Sequence, residues 1–86
     1  METVRDKFKS MLCENGMFLD DAEKVMLLSE NTLTEAIDDY NFTLNTPSED
    51  YPKIIYDILY VHIKPIAFKW ITTNRPKAWY KPMFYL

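Results

Sequence analysis

Glycine is almost missing from this chain, with Gly16 the only one in 86 residues. Tight hairpin turns favour glycine at positive φ, so the sequence argues against a β-sheet. A glycine-rich loop that cradles phosphate is excluded as well. Cysteine is equally scarce: Cys13 stands alone, which rules out an intrachain disulfide, fits a reducing compartment and suits a small buried or half-buried hydrophobe. The single histidine, His62, gives none of the paired spacings of a zinc site. Neither an HExxH helix nor an EF-hand loop occurs, so no metal and no cofactor is expected. For His62 to serve a nucleophile it would need a Ser or Cys partner and an orienting acid. Asp57, five residues earlier, falls off its face of a regular α-helix. His62 is therefore assigned to packing or an interior hydrogen bond, and the chain is expected not to be an enzyme. No apolar run approaches the roughly 20 residues of a membrane span, and no basic-then-apolar signal segment opens the chain. The expectation is a soluble, cytoplasmic protein without a membrane partner.

What the sequence has is one long apolar-periodic stretch, residues 50–73, reading DYPKIIYDILYVHIKPIAFKWITT. Its spacing predicts a central helix with Pro52 in the first turn and Asp50 or Ser48 as the cap. Pro65, inside it, removes one backbone hydrogen bond and collides with the carbonyl of Val61, so a kink is expected near residues 61–64. Upstream, Val4, Phe8, Met11 and Leu12 mark a first amphipathic helix over residues 2–14, stopped by Asn15 and Gly16. A second helix follows, capped by Asp20 or Asp21, with Ala22, Val25, Met26 and Ser29 or Leu28 inward and Phe18 packed on Val25 or Met26. Asn31 and Thr32 read as a break. A short third helix starts near Thr34, with a Thr32/Glu35 capping box and Leu33, Ala36, Ile37 and Tyr40 as its buried stripe. Residues 41–49 form a loop pinned by Phe42 and Leu44.

The expected fold is thus all-α, one domain over residues 1–86: a bundle of four or five helices around the long central one. Its core is Val4, Phe8, Leu12, Phe18, Val25, Ala36, Ile37 and Tyr40 packed round Ile55, Ile58, Leu59, Ile66 and Trp70. The last residues, 74–86, carry two prolines and four aromatics and are expected to pack onto the bundle through Trp79, Met83 and Phe84.

Charge divides the chain. Residues 1–50 hold twelve acids and four bases, a net of −8, whereas residues 51–86 hold one acid and six bases, a net of +5. The two halves either neutralise each other in the fold or present two surfaces of opposite sign. The basic candidate is Lys69, Arg75, Lys77, Tyr80 and Lys81, where cations alternate with rings able to stack on bases and pair with phosphates. The acidic candidate is Asp20, Asp21, Glu23, Glu30, Glu35, Asp38 and Asp39, a flank that could imitate a nucleic-acid backbone toward a DNA-binding target. A solvated helix face explains the same residues without function.

Two resemblances add to this. NGMFLDDAEKVM followed by TLTEAIDDY resembles the three-helix ubiquitin-associated arrangement over about residues 4–40, through Gly16, Phe18, Ala22, Val25, Ala36 and Ile37. Across nearly the whole chain, Gly16 to Phe18, Ala22, Val25, Met26, Tyr51, Pro52 and the run from Ala67 through Trp70, Ile71, Asn74, Pro76, Ala78, Trp79 and Pro82 to Met83 and Phe84 are similar to a family of small proteins of tailed bacteriophages. That resemblance implies a phage accessory protein made in the bacterial cytoplasm, which binds and inhibits or modulates a host protein, with a component of antiviral defence as one kind of target. Two other readings stand beside it: a binder of nucleotides or nucleic acid, such as a sponge for a cyclic-nucleotide signal, and an acidic DNA mimic. Self-association is left open.

Overall fold

The computed structural model describes residues 2–74, and within them the first helix, α1 (Val4–Glu14), is closed at both ends by its own sequence. Thr3 Oγ accepts the Asp6 N–H at 3.2 Å while the Asp6 carboxylate accepts the Thr3 N–H at 3.3 Å, a reciprocal capping box. The next unpaired donors are met from the loop before the third helix, Val4 N–H by the Thr46 carbonyl and Arg5 N–H by that of Leu44. These bonds to Thr3 hold the Asp6 pKa below the ordinary carboxylate value. Their contribution is therefore complete at neutral pH and is lost as acid protonates the folded-state carboxyl. Thr3→Ala is expected to lower stability by about 1 kcal/mol in a urea titration. At the other end Gly16, at φ 102°, turns the chain. Its N–H reaches the Cys13 carbonyl at 3.0 Å and the Met17 N–H reaches that of Leu12 at 3.1 Å, the paired closure for which a left-handed glycine is suited.

The second helix, α2 (Leu19–Asp38), is a single run of 20 residues. It starts two or three residues earlier than expected, with Phe18 in the cap position and no side-chain bond there; Asp20 and Asp21 lie in the first turn, where carboxylates meet the positive end of the helix dipole. Asn31 and Thr32 do not break it. There is no separate helix from Thr34 and no Thr32/Glu35 box. The helix penalty of Asn or Thr is a few tenths of a kcal/mol, and burial of Leu33 and Ile37 on the stripe of Val25 and Ser29 outweighs it. Ser29 and Thr34 turn their hydroxyls back onto the carbonyls of Val25 and Glu30.

A loop through Asn41, whose φ is 61°, buries Phe42 and Leu44 as anticipated and stacks Phe42 on Tyr51 with ring centroids 4.5 Å apart. After a short 3-10 turn, Ser48–Asp50, the third helix, α3, runs without interruption through Pro52–Ile58, Leu59–Ile63 and Lys64–Asn74. Pro52 takes the first-turn position, with Tyr51 rather than Ser48 or Asp50 in the cap position. The disturbance expected from Pro65 takes the form of a π-helical turn, Leu59–Ile63, in which the Lys64 N–H reaches back five residues to Leu59. A wider turn just ahead of a proline relieves the clash of its ring with the carbonyl four residues back. Pro65→Ala alone is accordingly expected to raise stability by far less than the roughly 3 kcal/mol that an uncompensated helical proline costs, as read by guanidinium denaturation.

The π turn carries one extra residue, and it moves the buried stripe. A regular helix from Ile55 and Leu59 would continue through residues 62, 66 and 70; the chain instead buries Ile63, Ala67 and Ile71, leaving His62, Ile66 and Trp70 half-buried. Other expected core members also move: Phe18 and Tyr40 are exposed and Ala36 is half-buried. Val4, Phe8, Leu12, Val25, Ile37, Ile55, Ile58 and Leu59 are buried as read. The described residues therefore form an all-α arrangement of three helices rather than four or five, with α2 in closest contact with both α1 and α3. The packing expected for residues 74–86 falls, beyond Asn74, outside the described residues.

Candidate interaction surfaces

α2 and α3 run antiparallel, because the indole N–H of Trp70 donates to Asp21 Oδ1 at 3.4 Å at one end and Tyr40 shares a depression with Val61 and His62 at the other. At the first end Asp21 is only 2 % exposed. It was grouped with the acidic surface, but its place is between helices, where it positions Trp70. Next to Asp21 in sequence are Leu19, 55 % exposed, and the partly exposed Phe18; next to Trp70 are the partly exposed Phe68 and exposed Lys69. Of the basic candidate only Lys69 falls within the described residues; Arg75, Lys77, Tyr80 and Lys81 lie outside them.

The rest of the acidic flank is divided. Glu30 forms an ion pair with Arg5 at 2.9 Å, and Glu23 borders the same shallow groove between α1 and α2, lined also by Lys9, Met26 and Leu27. Asp20 is exposed in the first turn of α2. Glu35, Asp38 and Asp39 are exposed at its far end, whose last turn holds no basic residue. Three carboxylates thus crowd the negative end of a helix dipole, an arrangement that works against the helix.

A second surface occupies the middle of α3. Tyr56 and Tyr60 stack with ring centroids 4.9 Å apart and hydroxyls 3.3 Å apart, and Lys64 Nζ sits 5.8 Å from the Tyr60 centroid, within reach of a cation–π attraction. The hydrogen bond with Tyr56 holds the Tyr60 hydroxyl above the ordinary phenol pKa. Val61 beside them is 64 % exposed. On its other side a depression of about 220 Å³ is lined by Tyr40, Asp57, Ile58, Val61 and His62. Asp57 and His62 were separated on a regular helical wheel, yet the extra residue of the π turn brings both to this depression. Among the described residues no hydrogen bond or ion pair joins them, and no side-chain hydrogen bond of His62 is found there. Cys13 is half-buried, and burial pushes its thiol pKa up, away from the thiolate that a nucleophile requires.

The sequence does not single out the tyrosine pair, and it reads Leu19 with Met17 and Phe18 as an apolar plug, of which Met17 alone is buried. The four-residue steps from Tyr56 to Tyr60 to Lys64 were the available signal for the first; Leu19 carried none, since an apolar residue beside a helix start reads equally as core. Among the described residues no three His, Cys, Asp or Glu side chains are grouped as metal ligands, and no helix is long and apolar enough to cross a membrane. Comparison with protein families, curated proteins and solved structures finds no match to this chain.

Proposed function

We propose that this protein is a bacteriophage accessory protein that binds a protein of its bacterial host and inhibits or modulates it, with an antiviral defence component as the class of target. It acts through surface and not through chemistry, in the host cytoplasm. The observation that carries the reading is the end of the bundle beside the Asp21–Trp70 contact. There Leu19 projects its apolar side chain from the first turn of α2 and Lys69 stands exposed on α3. An exposed apolar residue in the first turn of one helix, and an exposed cation on the helix packed against it, suit the centre and rim of a protein interface. The resemblance of the chain to small phage proteins supports the host setting.

Leu19→Asp combined with Lys69→Glu tests this. Immobilised wild-type protein is expected to retain a distinct bacterial protein from lysate. The double variant should lose it while melting as the wild type does, because both positions are exposed. Equal retention by both proteins would remove this end from the interface.

A further inference from the structure

The groove between α1 and α2 supports an inference separate from the host target. We propose that two copies of this chain pair through it, about a two-fold axis that runs along the groove, with Leu27 of each copy seated in the groove of the other. The two helices run antiparallel: Arg5 meets Glu30 at 2.9 Å, and Lys9 and Glu23 both lie from there toward the connection at residues 15–18. Glu23, Leu27 and Glu30, at steps of four and three, form one row on α2, and Arg5 and Lys9, four apart, form the facing row on α1. One bank is thus acidic and the other basic. Between them lies a depression of about 240 Å³ bordered by the buried Met26, and Leu27 stands on its rim, 64 % exposed.

Charge selects the occupant. Rotation about an axis along the groove exchanges its banks, so the acidic row of one copy lies against the basic row of the other. An axis across the groove would instead oppose acid to acid. Because Arg5 and Glu30 stand at one level of the groove, the ion pairs of the two copies meet as an alternating square of four charges, and Lys9 of each copy faces Glu23 of the other. The same rotation carries Leu27 across to the basic bank, where it enters the depression between the aliphatic stems of Arg5 and Lys9 and covers Met26. Asp38, two turns beyond Glu30, borders the adjoining depression with the uncharged Thr43 and Asn45, which become its neighbours in the other copy.

Sedimentation equilibrium of the full chain, from micromolar to millimolar concentration, is expected to show a monomer–dimer equilibrium that weakens with added salt. Leu27→Asp should raise the dissociation constant at least about tenfold, with far-ultraviolet circular dichroism unchanged because the side chain lies at the surface. Arg5→Glu and Glu30→Arg should each leave the protein monomeric, since each sets four like charges together at the axis. Mixed in equal amounts, these two variants should form a heterodimer, because the acidic pair of one then faces the basic pair of the other. A chain that remains monomeric throughout, a dimer indifferent to Leu27→Asp, or single charge variants that dimerise as the wild type does or stay apart when mixed overturns the proposal.

Discussion

Ile58→Asp is expected to abolish the cooperative thermal transition of this protein. Ile58 is 4 % exposed, in the last regular turn of α3 before the π turn, and belongs to the apolar cluster that joins the three helices. A carboxylate there loses the transfer energy of the isoleucine and must either stay ionised without a partner or take up a proton against its normal pKa; either route costs several kcal/mol. A domain of this length has roughly 5–10 kcal/mol in total. The folded population should therefore collapse, seen as lost helical ellipticity at ambient temperature. Ile58→Val should cost only about 1 kcal/mol and keep the transition. A soluble Ile58→Asp variant melting as the wild type does would mean that the face is exposed.

The second large effect couples the π turn to Pro65. Deleting His62 removes the extra residue, so that residues 52–74 return to a regular helix in which Ile63, Ala67 and Ile71 still meet the core. Pro65 would then meet the carbonyl four residues back in an unrelieved α-helix, and the deletion is expected to cost about 3 kcal/mol. Adding Pro65→Ala to the deletion should return most of that loss, although Pro65→Ala in the full chain changes little. Such non-additivity between two positions on adjacent turns is the mark of a shared structural cause. Strict additivity in denaturant titrations would show that the π turn exists for another reason.

The same pair of residues explains how much of the fold could be read in advance. α1 and its glycine closure were legible because Val4, Phe8, Met11 and Leu12 keep a strict helical spacing up to Gly16. The buried loop residues Phe42 and Leu44 were legible for a similar reason, being the only large apolar residues in a run of turn formers. α2 was misread at Asn31 and Thr32, where local preference is weak and the burial of Leu33 and Ile37 decides. In α3 the period was right but its phase was not: Pro65 announced a disturbance, and only the backbone told that it would take the form of one added residue, shifting the stripe from Ile66 and Trp70 to Ala67 and Ile71. The candidate surfaces suffered from the opposite difficulty. Asp21 looked like its acidic neighbours until Trp70, 49 residues away, was found against it, and Glu30 until Arg5 was. A contact between residues so far apart in the chain leaves no local pattern.

The central claim, that this domain works by binding a host protein through its surface, is tested most directly by retention from bacterial lysate followed by mass spectrometry, with titration calorimetry against single-stranded oligonucleotides and cyclic di- and trinucleotides on the same preparation. The account predicts one host protein retained by the wild type and lost with Leu19→Asp/Lys69→Glu, and no heat from any nucleotide. Saturable nucleotide binding that weakens steeply with salt, together with no retained protein, would contradict it.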